Sequence, residues 1–556
     1  MDVLDQNKWV TSKIERKCKA MIQSSSSMND ICQEFFAASA DQFPIVSASD
    51  EFFYFPQVRP QKKDWSRWDA FSESAVDSFA GKLAGYERAL EDMRCQHENA
   101  IQLDIEKEID LSFLKQTITT LREQLSEVRT WEKQPTFYLT IACLGIAEAL
   151  EADSPSAGAA RAESLPSFID IARHSLKNMP VLYRDLGLTM LAETKRYFVS
   201  LVPRLPVLKT SLPHLDAFED FLHKTKTQPD FRMPDNLVGK IIQHHLGCGL
   251  DIPAIESVLD TEIHEMQAFL KKHTTAIKED TTWEMVIDKI PFPTVPSGGL
   301  VAMYDDQVRQ LAKHCLALGF ISEKDLIDCP VNVRPVPSFL SAIRTASSYS
   351  VKPDHPPTGG IFYVINADRP EEARKPYQKE FKILSAHETY PGHHFLDLNR
   401  LQHSQPLRRC IEKPIFYEGW ACFAEKLMQL TGYLDNAHDH MLLARRRLWR
   451  AIRGKVDLGL QTGTLDFPEA IEYLMKTGIN RGDAAAVVRK YPLNPGYQLC
   501  YTLGFKRFST LFKTYGQDNL KAFVRQAVSH GEIDFEDLER ILAIKIPCRG
   551  PLDQGI

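Results

Sequence analysis

The chain has 556 residues, a formal net charge of −6, and 44% hydrophobic and 25% charged residues. That composition is ordinary for a globular protein with a large core, and it offers no basic surface for nucleic acid. The first 30 residues lack the apolar core of a signal peptide, and no apolar run is long enough for a membrane helix. The eleven cysteines are scattered without C-x-x-C spacing, which points to free thiols in a reducing cytoplasm.

In chain order, Ser72–Arg94 and Leu111–Val128 carry apolar residues at three- and four-residue spacing and predict long amphipathic helices. The longest apolar run, Tyr138–Ala149, predicts a buried helix. Further helices are expected over Leu186–Ser200, Ala217–Lys226, Ile252–His273 and Asp305–Leu318. The adjacent pair His244-His245 reads as structural. Proline-rich connectors follow at 291–296 and 330–337. Gly359 to Asn366, rich in β-branched and aromatic residues and bounded by Gly-Gly and Asp368-Arg369-Pro370, predicts a strand. A helix is expected from Pro376, a good first-turn residue, to a break at Pro391. Another covers Trp420–Leu430, with Trp420, Phe423, Leu427 and Leu430 on one stripe. Over Leu442–Val456 the cations Arg445, Arg446, Arg447, Arg450, Arg453 and Lys455 predict a mixed, partly solvated helical face, or a local attraction for an acidic substrate. Two more helices lie between Asp518 and Leu542. No linker divides the chain. The expected fold is therefore mainly α: a helical half over 1–290 forming the wall of a deep cleft, and a half over 291–556 with a small antiparallel sheet, as one continuous body.

The most informative segment is HETYPGHH, His387 to His394. It concentrates three imidazoles and a carboxylate, the ligand types of a Zn²⁺ site. It departs from H-E-x-x-H, in which two histidines four apart share a helix face and one metal, because position i+4 from His387 is Pro391. On an unbroken helix, i+6 points about 120° away from His387 and i+7 lies about 10 Å further along. Pro391 removes the N–H that His387's carbonyl needs, and Gly392 admits backbone angles closed to other residues. A break that absorbs two residues brings His393 to the metal. One that absorbs three brings His394.

A catalytic zinc takes three protein ligands. Glu418, in YEGWACFAE (Tyr417 to Glu425), lies 25 residues beyond His393, far enough for the chain to turn and return antiparallel. Glu418 is the expected third ligand, and Glu425 the carboxylate that orients a ligating imidazole. Glu388 is the expected general base. Cys422, one turn after Glu418, reads as a small core residue.

HETYPGHH, YEGWACFAE and RKYPLNPGYQLCYTLG (Arg489 to Gly504), in that order, resemble the DUF885 family of zincin-like proteins, closely over about 335–503. The resemblance implies a gluzincin-type site with two histidines and a glutamate on one Zn²⁺ per chain. Against the family pattern P-G-Q-x-L-S-Y, Tyr501 matches the tyrosine, whereas Tyr497 stands in place of the glutamine and Gln498 follows. Either tyrosine would serve as oxyanion donor, Tyr501 ranking first. Arg489 matches the family's Arg-Tyr element, with Lys490 inserted before Tyr491. It would bind a substrate carboxylate or pair with an acid. In zincin-like folds a strand such as the one holding Phe362 and Tyr363 edges the cleft and pairs with extended substrate. Phe362 and Tyr363, with His394 if it is not a ligand, are thus expected substrate contacts. The expected activity is zinc-dependent hydrolysis of peptide or amide bonds in small substrates, carboxypeptidase- or dipeptidase-like. The rivals are a metal-dependent enzyme acting on a non-peptide amide or forming one in small-molecule biosynthesis, and a non-catalytic binding protein on a relic fold.

Overall fold

The computed structural model describes residues 27–98, 104–152, 154–277, 280–336, 347–352, 354–364 and 378–546. They are mainly helical, with one small mixed sheet. The expected helices form, at Glu73–Glu98, Ile105–Glu123, Pro135–Leu150, Val181–Leu201, Leu212–Lys224, Ile252–Ile277 and Gly299–Ala317, and in the tail at Leu520–Val528 and Phe535–Lys545. Their boundaries follow sequence signals: Asp104 caps one N-terminus and Pro135 opens another. His245 is buried between Gln124, 2.9 Å from its Nδ1, and Glu123, 2.8 Å from its Nε2. It is a core histidine.

Among the described residues two large hydrophobic cores form, with a small third cluster of Tyr349, Val351 and Leu401. One is built from residues between Ile31 and Leu222, joined by Leu407, Cys410 and Ile411. The other runs from Leu237 to Leu542 and takes in Ile109 and Val128. The division thus falls between Leu222 and Leu237, and the Ile252–Ile277 helix packs with the second core. Buried polar contacts tie the cores together. The Arg400 guanidinium donates to Asp397 and to Gln57 Oε1 (2.9 Å), and Gln57 donates to Glu412 (2.9 Å). Arg408 pairs with Asp110 and Glu106. Among the described residues, no helix is long and apolar enough to cross a membrane.

The sheet has the order β1 (Val331–Pro335), β3 (Gly360–Val364), β2 (Ser348–Val351). It is mixed, not antiparallel as expected: β1 pairs with β3 in parallel, Val331 opposite Gly360, and β2 pairs antiparallel, Ser348 opposite Tyr363. β3 is the middle strand. Its backbone is occupied on both sides, which corrects the expectation that it offers a free edge to extended substrate. Phe362 is fully buried against Tyr304.

Two helices cross at a point where neither tolerates a side chain. A Cβ on Gly419 would lie 2.5 Å from the Gly504 Cα, and one on Gly504 would lie 2.1 Å from the Ile415 carbonyl oxygen. This contact between the Pro414–Leu430 and Leu499–Tyr515 helices sets Glu418, one residue before Gly419, beside the tyrosines that precede Gly504.

Candidate metal centre

The helix Phe381–Glu388 stops where the proline-glycine pair predicts, and a new helix, His393–Leu401, begins after it. The start expected at Pro376 lies outside the described residues. The break is compact. A Cβ on Gly392 would fall 1.8 Å from the His387 carbonyl oxygen, so only glycine fits. Trp420 Nε1 donates to the Pro391 carbonyl at 2.8 Å and pins the break to the Glu418 helix.

His387, His393 and Glu418 converge from three helices, with one ligand atom of each within 4.8 Å of the others. Glu418 Oε2 lies 3.4 Å from His387 Nε2 and 3.5 Å from His393 Nε2. Two ligands roughly 2.0–2.1 Å from a tetrahedral zinc are separated by about 3.3–3.5 Å. All three residues are buried, and Glu418 Oε2 has no hydrogen-bond partner. The donor set and its unsatisfied buried oxygen fit a divalent cation of zinc's preferences. Burial pushes the Glu418 carboxyl up, but the two imidazoles beside it outweigh that and hold it well below the carboxylate range.

His394 is not part of this group. It is fully buried, its Nδ1 2.9 Å from Tyr349 Oη on β2 and its Nε2 3.0 Å from the Cys329 carbonyl oxygen. Burial lowers its pKa to about 4, so it stays neutral. Both ring nitrogens are engaged, which corrects the expectation of a ligand or substrate contact. The break absorbs two residues, not three.

Glu425 stands where an orienting carboxylate is needed, with Oε1 3.1 Å from His387 Nδ1. It in turn receives a bidentate pair from Arg450, at 2.7 Å to each oxygen, and lies 3.4 Å from Arg446. Burial raises the Glu425 carboxyl, but Arg450 and Arg446 hold it far below its ordinary value. His393 lacks such a partner; its Nδ1 is buried without a hydrogen bond, and its ring stacks on Tyr417 at 4.0 Å. Tyr417 Oη donates to Asp397 (3.0 Å). Glu388 is buried directly after His387.

Both tyrosines of the third block reach the same carboxylate. Tyr497 Oη donates to Glu418 Oε1 at 2.7 Å. Tyr501 lies with its ring 5.8 Å from that of Tyr497 and beneath the Arg453 guanidinium, which is 3.6 Å from the ring centroid. Burial, then the Glu418 charge, pushes both phenols well above their usual range, so both remain donors. They line a cavity of about 680 Å³ whose walls come from both cores, Leu125 and Trp131 from the first and Tyr491 from the second, with Arg453 beside them. Arg489 is exposed and does not line it. Tyr363 lines a separate cavity of about 300 Å³ with Asp50 and Arg334, away from the three clustered residues.

On the basic helix, Ala437–Thr462, most of the cations are partly exposed, but Arg450 is buried and the face is largely neutralised by carboxylates. Arg445 and Arg446 pair with Glu380, Arg447 with Glu262, Arg450 with Glu425, and Lys455 with Asp260. Sequence reading missed Arg446 and Arg450 as supports of the site. A usable signal was their spacing: Arg446, Arg450 and Arg453 fall on one face at i, i+4, i+7. Cys422 is buried and its thiol is pushed up to about 12 by burial, as a core residue requires. A second buried group, Asp397, Glu412 and Glu532, also meets the spacing of a cation site. Arg400 supplies its positive charge, with Nε 3.2 Å from Glu532.

The chain belongs to the DUF885 family, described as bacterial proteins of unknown function, whose profile matches residues 66–542. Among solved structures it is similar to "a putative lipoprotein of unknown function from Shewanella oneidensis", at 15% identity and a TM-score of 0.73, covering 93% of this chain and 100% of that one. It is also similar to "the putative lipoprotein from Colwellia psychrerythraea", at 15% identity and a TM-score of 0.71, covering 93% of this chain and 98% of that one. At that identity the likeness establishes a shared fold. No curated protein matches.

Proposed function

We propose that the chain is a zinc-dependent hydrolase of peptide or amide bonds in small substrates, on a zincin-like site. The observation that carries this reading is the convergence of His387 Nε2, His393 Nε2 and Glu418 Oε2 at separations of 3.4 and 3.5 Å from the carboxylate oxygen. Zn²⁺ held there supplies a Lewis acid that polarises a carbonyl and acidifies water. Glu388 takes the proton from the attacking water and delivers it to the leaving amine. Tyr501 or Tyr497, both kept protonated, donates a hydrogen bond to the oxyanion. Glu425, clamped by Arg450, accepts from His387 Nδ1 and fixes the ring so that Nε2 faces the cation. A cavity of about 680 Å³ beside the tyrosines supports a small substrate rather than a folded protein.

The test is metal analysis of the wild type and of Glu418→Ala, with hydrolysis of a mixed peptide library. One zinc per chain, lost in Glu418→Ala, together with cleavage is the expected result. Glu388→Gln should keep the metal and lose about 10²–10⁴-fold in turnover. A wild type without tightly bound metal would overturn the reading. Zinc without peptide cleavage would redirect it to non-peptide amides. As to location, buried free cysteines support the cytoplasm, whereas the solved relatives' description as lipoproteins supports an anchored form. Fractionation of the native chain separates the two.

A further inference from the structure

Arg453 stands apart from the other cations of its helix. Arg445, Arg446, Arg447, Arg450 and Lys455 each have a carboxylate partner. Among the described residues no carboxylate lies within 4.0 Å of Arg453, and its Nε is buried without a hydrogen bond. The acid one turn along, Asp457, makes no ion pair with it: Oδ2 accepts from the Gln498 backbone N–H at 3.1 Å, while Oδ1 is buried without a hydrogen bond and feels the Arg453 charge only at longer range. The guanidinium lies over Tyr501, its Cζ 3.6 Å from the ring centroid, and lines the cavity. Tyr491 lines the same wall. It is only 6% exposed, and its hydroxyl has no partner.

The Arg453 guanidinium and the buried Tyr491 hydroxyl thus line one cavity, together with Tyr501, and neither has an acceptor among the described residues. Burying such donors without acceptors costs stability, and a planar carboxylate matches the guanidinium fork. Phe53, Tyr54, Trp131 and Phe137 supply apolar wall around it. Two acids line the cavity, Glu51 and Glu193, the latter paired with Arg196 and neither within ion-pair distance of Arg453.

We propose that Arg453 and Tyr491 bind a free carboxylate of the substrate, so that the site takes acids with an apolar or aromatic group beside the carboxylate, as at the C-terminus of a short peptide or of an N-acyl amino acid. The exposed Arg489 has no part in this. The proposal deepens the hydrolase reading, and rests on it only for what then happens to the bound acid.

The test measures binding by titration calorimetry on the full chain carrying Glu388→Gln, which keeps the ligand intact. The probes are N-benzoylglycyl derivatives of alanine, leucine and phenylalanine, each as the free acid and as the C-terminal carboxamide. At least one acid should bind roughly 10- to 100-fold more tightly than its amide. Arg453→Gln should erase that preference, Arg453→Lys should keep part of it, and Arg489→Gln should leave it intact. Tyr491→Phe, which removes one hydroxyl, should weaken the acid severalfold and leave the amide unchanged; it carries the test if Arg453→Gln does not fold. Equal binding of every acid and amide, or a preference that survives Arg453→Gln, overturns the proposal. A preference that depends on Arg453, in a chain with Glu388 restored that hydrolyses none of these probes, upholds the carboxylate subsite and defeats the hydrolase reading for these amides.

Discussion

Replacing His393 and His394 by alanine, one at a time, should produce opposite defects. His394 holds two hydrogen bonds, to Tyr349 Oη at 2.9 Å and to the Cys329 carbonyl at 3.0 Å, and is fully buried. Removing it takes about 1–2 kcal/mol for each bond and leaves a ring-sized void, for a total of about 3–5 kcal/mol. It touches no ligand atom of the metal group, so zinc affinity measured on the folded fraction should stay within a few fold. His393 makes no hydrogen bond through Nδ1 and packs its ring on Tyr417. Its loss should cost only about 1–2 kcal/mol of metal-free stability, while removing one of three ligands should weaken zinc on the order of a hundredfold or more. Urea unfolding of the chelator-treated protein gives the first quantity, and competition with a fluorescent zinc chelator gives the second. Zinc binding that survives His393→Ala but not His394→Ala would refute the two-residue break.

Glu425→Gln keeps the shape but removes the charge between Arg450, Arg446 and His387. Zinc affinity should fall about 10–100-fold, and unchanged affinity in the chelator competition would show that the imidazole needs no such support. Gly392→Ala places a Cβ 1.8 Å from the His387 carbonyl oxygen; the break must open, and thermal unfolding should register a loss of several kcal/mol. Asp69 is fully buried, accepts the backbone N–H groups of Ile45 (2.8 Å) and Val46 (3.2 Å), and has its pKa pushed up to about 7 by burial. Its folded pKa lies above the unfolded one, so between about pH 4 and 7 the native state holds the extra proton, and stability is lost as pH rises through that window. Between pH 5 and 8, wild type should lose about 3 kcal/mol relative to Asp69→Asn; a pH-independent difference in urea midpoints would count against a buried, proton-retaining Asp69.

The short-range features of this protein were legible in its sequence because they depend on neighbours a few residues away. The long helices follow from three- and four-residue apolar spacing, the break after Glu388 from Pro391 and Gly392, and the choice of His387 and Glu418 from ligand chemistry and a return distance of one helical hairpin. Glu425 was legible for the same reason, two turns from Glu418 on one face. Other features were decided only by the tertiary structure. Whether His393 or His394 joins His387 and Glu418 depends on how far the broken backbone rotates, which is set by Trp420 holding Pro391 and by Tyr349 and Cys329 capturing His394. A run of six cations reads as a partly solvated face, and nothing local reveals that Glu380, Glu262, Glu425 and Asp260 are brought against it from distant segments. β3 reads as an ordinary strand, but its central place in the sheet depends on pairing with β1 and β2. Arg489 and Arg453 are equally basic on paper; only packing exposes one and leaves the other unpaired in a cavity wall. Periodicity and backbone sterics act locally along the chain, whereas the partner of a charge is set by which segments meet when the cores close.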